Sequence, residues 1–334
     1  MLIRQLHINS KKQEEFIKKT LAIDIREIKT DSDNSLSEKD FRKIFTYYGL
    51  AVPAVLGEGY CLLRGKGMTD AERYQLTYMG ALTGLFDDFF DEKNIGEQHI
   101  KELINNPGES VANNSHEKLF IRFYEKALDS DNSALVKEHL NMVFDAQLMS
   151  KKQKDPEIKE EDIKTITMEK GGTSLLFYRC AFPEQINENE HKMLYHLGGL
   201  GQLENDIFDV YKDHREQIRT LATIATRISK LRFTYVSLMH DVFKMLDQTG
   251  YPPGNRKRFS RFISLISSRG LVCLDLLQKQ ETSSYGIFSI PSYPRKNLIC
   301  DIDKLSNQLR LFRYYFRNRI NSHVCYVGFR RTLY

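Results

Sequence analysis

The sequence predicts an all-α protein folded as a single-domain helical bundle. Three observations predict it. Apolar residues recur at spacings of three and four in most segments, the period of a helix with one buried face. Alternating strand patterns bounded by Asn-Gly or Asp-Gly turns are absent. The chain carries only 8 prolines and 19 glycines, and no proline lies between Pro183 and Pro252, so long helices are permitted there. The periodic segments add up to about ten helices, more than a four-helix bundle but within reach of one compact domain.

Start and stop signals place the elements. Ser10 with Gln13, Thr69 with Glu72 and Asn187 with Glu190 resemble capping boxes and predict helix starts. Polar breaks are predicted at 30–38, 105–117, 129–133, 150–160, 250–258 and 280–297. Residues 1–36 read as an N-terminal helical extension to a single domain spanning 1–334. Gly171-Gly172 should weaken or kink the helix that contains them. No solenoid repeat or low-complexity tract interrupts the pattern.

Composition narrows the class. Of 334 residues, 49 are Lys or Arg and 44 are Asp or Glu, so the net charge is only +5. That balance argues against a chain whose main task is coating nucleic acid. No run of about 18 uncharged apolar residues occurs, so no membrane-spanning helix is predicted. Residues 1–19 carry charges throughout and lack a signal-peptide core. The five cysteines are scattered and odd in number, which fits reduced thiols and a cytoplasmic location.

Two acidic clusters carry the chemical reading. The first is Asp87-Asp88-Phe89-Phe90-Asp91, at the end of the helix that Thr69 starts. Asp87 and Asp91 are one helical turn apart, with Asp88 beside them. Carboxylates crowded in this way repel one another unless a cation lies between them. Mg²⁺ is the natural one, because it binds hard oxygen and leaves positions for substrate phosphates. The second cluster runs from Asn205 to Asp213, where Asn205, Asp209 and Asp213 recur at i, i+4, i+8 as one oxygen-bearing stripe. Arg310, Arg313 and Arg317, at i, i+3, i+7, form a basic helical face in a tail without acidic residues.

A DDxxD helix followed by an NDxxDxxxD helix resembles the class I isoprenoid synthase superfamily of terpene cyclases and trans-prenyltransferases. Lys170-Gly171-Gly172-Thr173-Ser174-Leu175 is similar to the prenyltransferase helix that offers a lysine to diphosphate. Gln202 matches the glutamine that precedes the family's second motif. The resemblance implies an all-α fold that binds about three Mg²⁺ ions, or Mn²⁺, through Asp87, Asp88, Asp91, Asn205, Asp209 and Asp213. It implies diphosphate contacts from Lys170, Arg179, Arg215, Arg313 and Tyr314. Phe86, Phe89, Phe177, Tyr178 and Phe208 would line an apolar cavity and face an allylic cation.

The arginine pair that follows the first motif in isopentenyl-adding prenyltransferases is missing; Glu92-Lys93-Asn94 stands there instead. The resemblance therefore implies a Mg²⁺-dependent terpene synthase that ionises one isoprenoid diphosphate. A coupling prenyltransferase and a non-catalytic helical subunit of a synthase pair are the alternatives. The family is compatible with a homodimer.

Overall fold

The computed structural model of this protein describes residues 2–30, 33–91 and 95–321; the side chains at positions 29, 30, 91 and 318–321 lie outside that description. Every regular element among the described residues is helical, and none is a strand. The order is α1 (Leu2–Lys19), α2 (Leu21–Thr30), α3 (Glu38–Arg42), α4 (Gly49–Ala51), α5 (Glu58–Arg64), α6 (Asp70–Asp91), α7 (Glu97–Asn105), α8 (Ser115–Leu128), α9 (Ser133–Ser150) and α10 (Glu160–Arg179), followed by α11 (Glu188–Phe208), α12 (Val210–Arg215), α13 (Ile228–Gln248), α14 (Pro253–Ser283), α15 (Arg295–Leu298) and α16 (Leu305–Asn321). Among the described residues, ten of these run for ten residues or more, the number that the periodicity predicts. The others are too short for a period of 3.6 to be read from sequence.

Capping explains several boundaries. Thr69 and Glu72 close a reciprocal box at the start of α6: the Glu72 amide donates to Thr69 Oγ1 at 3.2 Å and the Thr69 amide to Glu72 Oε2 at 2.8 Å. Asn187 Oδ1 accepts from the Glu190 amide at 2.9 Å and caps α11. Ser10 caps nothing. It lies inside α1, where its hydroxyl donates to the Leu6 carbonyl at 2.9 Å.

The chain divides into two compact units, Met1–Leu148 with Leu176–Gln185, and Met149–Leu175 with Ile186–Tyr334. In unit 1, α6 packs against α8, α4 and the π-helical turns Lys43–Tyr48 and Val52–Gly57. Leu82, Leu85, Phe86 and Phe89 of α6 are buried, as are Leu119, Phe120 and Phe123 of α8. Gly80 is what lets the first π turn approach: a Cβ there would lie 2.6 Å from the Tyr48 carbonyl oxygen.

Helices α1 and α2 contribute buried side chains to unit 1. Buried Gln13 donates to the Gly49 carbonyl and to Thr77 Oγ1, both at 2.9 Å, and accepts from Arg73 at 2.8 Å. Tyr78 donates to Asp24 at 2.7 Å. A polar side chain buried with its partners in place ties α1 to its neighbours.

In unit 2, α11 packs on α13 and α14, and α14 also meets α15 and α16. The early part of α10 crosses α11 at backbone distance. A Cβ on Gly171 would stand 2.0 Å from the Gly198 carbonyl oxygen, and one on Gly198 would stand 2.1 Å from the Gly171 carbonyl oxygen. The Tyr195 ring covers Gly172, and Met168 covers Gly199. The predicted kink at Gly171-Gly172 does not form. The helix runs on to Arg179, because the missing side chains serve interhelical packing and the backbone ladder stays closed.

Gly198→Ala is expected to destabilise the protein by about 1–3 kcal/mol, since the intruding methyl meets backbone that cannot rotate away. Chemical denaturation followed by circular dichroism measures this, and a variant as stable as the parent would contradict the packing.

Candidate functional site

The first acidic segment lies in unit 1 on the last turn of α6. The π turn, seated on Gly80, brings Tyr48 and Lys43 beside it. The Tyr48 hydroxyl donates to Asp87 Oδ2 at 2.8 Å, and Gln147 of α9 donates to Asp87 Oδ1 at 2.8 Å. The neighbouring Asp87 charge, then burial, push the Tyr48 phenol well above its ordinary range. Tyr178 donates to Thr83 Oγ1 at 2.9 Å, and burial likewise raises its phenol.

Asp88 points the other way. It is 1% exposed and forms an ion pair with Lys43. Its second oxygen lies 3.9 Å from His116 Nε2, too far for a hydrogen bond. Burial alone would raise the Asp88 carboxyl, but His116 and Lys43 outweigh it and hold the group below its usual value. Asp88, expected to share a cation with Asp87 and Asp91, has its charge paired with Lys43 in this structure. Asp91 closes α6, and its side chain lies outside the described residues.

The second acidic segment lies in unit 2. Here α11 ends at Phe208, and Asp209, with φ −90° and ψ 9°, hands the chain to α12. The turn preserves one-turn spacing: the Asp209 amide donates to the Asn205 carbonyl at 2.8 Å, and the Asp213 amide to the Asp209 carbonyl at 2.9 Å. The structure draws in Asp206, a residue outside the predicted ligand set. Burial pushes its carboxyl up to about 6, against the pull of Gln202, Lys170 and Thr167. Burial, then the charges of Asp206 and Asp209, push Asp213 up to about 7. Asp209 is also raised, chiefly by burial. Asn205 is exposed, and its side chain partly offsets the rise at Asp209. The sequence carried a signal for this arrangement: Asp206, Asp209 and Asp213 recur at i, i+3, i+7, a tighter face than i, i+4, i+8.

Two neighbours orient Asp206. Gln202 Nε2 donates to its Oδ1 at 2.8 Å, and Thr167 Oγ1, reached across the Gly171–Gly198 crossing, donates to Oδ2 at 3.4 Å. Lys170 sits one helical turn from Thr167, close enough for its charge to act on Asp206.

Among the described residues no three His, Cys, Asp or Glu side chains form a ready metal cage. The donor chemistry of Asp206, Asp209 and Asp213 still fits Mg²⁺. All three offer hard oxygens, and they repel one another. Mg²⁺ needs only one or two protein carboxylates when water and substrate phosphates complete its octahedron.

The remaining predicted residues divide. Arg179 is buried and donates to the carbonyls of Phe182 (3.1 Å) and Glu184 (3.0 Å), so it clamps the turn after α10. Arg215 is exposed. Arg313 and Tyr314 lie on α16, where Tyr314 donates to Asp275 Oδ1 at 2.7 Å. Phe86 and Phe89 are core residues packed on Phe120, with centroids 5.8 and 4.9 Å away. Phe177 and Tyr178 are buried against each other. Phe208 is half-buried with the Arg269 guanidinium 5.4 Å from its ring centre.

Lys43, Tyr48, His116 and Gln147 carried no signal, since their partners are distant in sequence. Comparison with models of known protein families and with curated proteins returns no match.

Lys43→Met should destabilise the protein by roughly 3 kcal/mol by leaving Asp88 buried without its partner; denaturant unfolding of the two proteins checks it. A second expectation concerns pH without added metal. Asp206 and Asp213 keep their protons in the folded chain after the unfolded chain, at 3.8, has released them. Their contribution to stability is therefore present at low pH and is lost as pH rises from about 4 to about 7. Asp213→Asn should flatten that part of the melting-temperature profile, and an unchanged slope would count against the carboxylate cluster.

Proposed function

We propose that this protein is a Mg²⁺-dependent enzyme of the class I terpene synthase type, which ionises an allylic isoprenoid diphosphate to an allylic cation and diphosphate. The observation that carries the reading is the acidic face of Asp206, Asp209 and Asp213 beside Lys170 in unit 2. Burial raises all three carboxyls, and the charges of Asp206 and Asp209 raise Asp213 further, a repulsion that a divalent cation relieves. The reading rests on unit 2 alone.

Bound there, Mg²⁺ would supply Lewis-acid neutralisation of the leaving diphosphate. Asp209 and Asp213 are the direct ligands in this reading, and Gln202 and Thr167 fix Asp206 behind them. Lys170 meets the diphosphate as a mobile ammonium, a point charge suited to phosphate oxygen. Because Lys170 lies next to the glycine crossing, its backbone position is set by rigid packing. The cation formed on ionisation ends by cyclisation or elimination.

The purified protein should release diphosphate from an allylic diphosphate presented alone, tested over increasing chain lengths. Chelation of Mg²⁺ should stop release. Asp213→Ala should lower the rate by about 100-fold or more while the circular dichroism spectrum is kept. Release that requires isopentenyl diphosphate would shift the reading to a coupling prenyltransferase. No release with any substrate, or release at the parent rate from Asp213→Ala, would overturn the reading.

A further inference from the structure

The C-terminal helix α16 presents two unlike sides. On the inner side Tyr315 is buried and Tyr314 is tied to Asp275 of α14. On the outer side Leu305, Leu309, Phe312 and Phe316 follow one another at four, three and four residues, which places them in a single stripe. Their exposures are 71%, 63%, 36% and 52%. Isolated exposed leucines are ordinary, but a contiguous row of large apolar side chains marks a contact surface.

The charge that α16 itself places beside the stripe is of one sign. Arg310, Arg313 and Arg317 flank it on the same helix, and none of them forms an ion pair among the described residues. With Asp275, Lys279 and Tyr314 they line a cleft of about 470 Å³ next to α14, in which the Asp275 carboxylate is already taken by Arg232 and Tyr314. The sequence from Lys304 to Tyr334 contains Lys and Arg but no Asp or Glu. Among the described residues no helix is long and apolar enough to cross a membrane.

We propose that α16 is a membrane-surface helix that lies in the plane of an anionic lipid bilayer. The apolar stripe enters the boundary between headgroups and acyl chains, and Arg310, Arg313 and Arg317 meet the lipid phosphates alongside it. Charge decides between this occupant and a second copy. Two copies meeting symmetrically through the stripe would bring the same arginines face to face, with no acidic residue on α16 to compensate. An anionic surface turns that repulsion into attraction. The proposal is independent of the reading of Asp206, Asp209 and Asp213, and a protein that lacked turnover would still be expected to bind.

The test is flotation of the full-length protein with vesicles of phosphatidylcholine, with and without phosphatidylglycerol. The protein should float with the anionic vesicles, much less with pure phosphatidylcholine, and less as salt is raised. A triple variant, Leu309→Ser, Phe312→Ser and Phe316→Ser, should lose at least about tenfold in binding. All three side chains are exposed, so its melting temperature should match the parent. Failure of the parent to bind anionic vesicles, or equal binding by the triple variant, would overturn the proposal. So would a stripe-dependent dimer seen by sedimentation without lipid binding, or vesicle binding that appears only after residues 322–334 are removed.

Discussion

At the crossing of α10 and α11, the backbones of Gly171 and Gly198 stand so close that neither position has room for a methyl group. Much of unit 2 depends on this approach. It carries Thr167 across to Asp206 and sets Lys170 beside the same carboxylate. Tyr195 and Met168 close over the flanking glycines, so the contact is fixed in position and register. A larger residue at either glycine would part the helices and separate the two halves of the acidic site. The same device recurs in unit 1, where Gly80 seats the Lys43–Tyr48 π turn against α6.

The two acidic segments look alike in sequence and differ in how their charge is balanced. Asp88 has a lysine within the fold, and its carboxyl lies below the usual range despite burial. Asp87 is held by a phenol and an amide. Asp206, Asp209 and Asp213 are raised by burial, and Asp206 and Asp209 raise Asp213 further. Lys170 lowers Asp206 without restoring its ordinary value. Carboxylates raised by burial and by one another's neighbourhood are where function is sought first, so the second segment carries the chemical reading.

Aromatic residues show why composition alone misleads about a site. The run Phe86, Phe89 and Phe90 beside the first acidic cluster invites reading as a cavity wall. Phe86 stacks on Phe120 at 5.8 Å, Phe89 meets the same ring edge-on at 4.9 Å, and half-buried Phe90 tilts against Phe144 at 5.7 Å, all within unit 1. Burying them supports the end of α6 and so supports the carboxylates. The exposed aromatics of α16 have no such role in the described fold, and that contrast points to a surface partner.

The helical class, the ten long helices and the caps at Thr69 and Asn187 were legible in sequence, because each is governed by interactions within a few residues: period, hydrogen-bond capping and the absence of proline. The position of the acidic clusters on helix ends was legible for the same reason. Tertiary structure alone decided the division into two units and the burial of α1 through Gln13. It alone decided the pairing of Asp88 with Lys43 and the burial of Asp206 beside an exposed Asn205 within the second cluster. Each of these depends on which distant segment arrives beside a given side chain, and charge balance and burial are properties of that meeting. Gly171-Gly172 shows the difference most clearly: local propensity predicts a weakened helix, and the arrival of Gly198 makes the same two residues the point of closest packing.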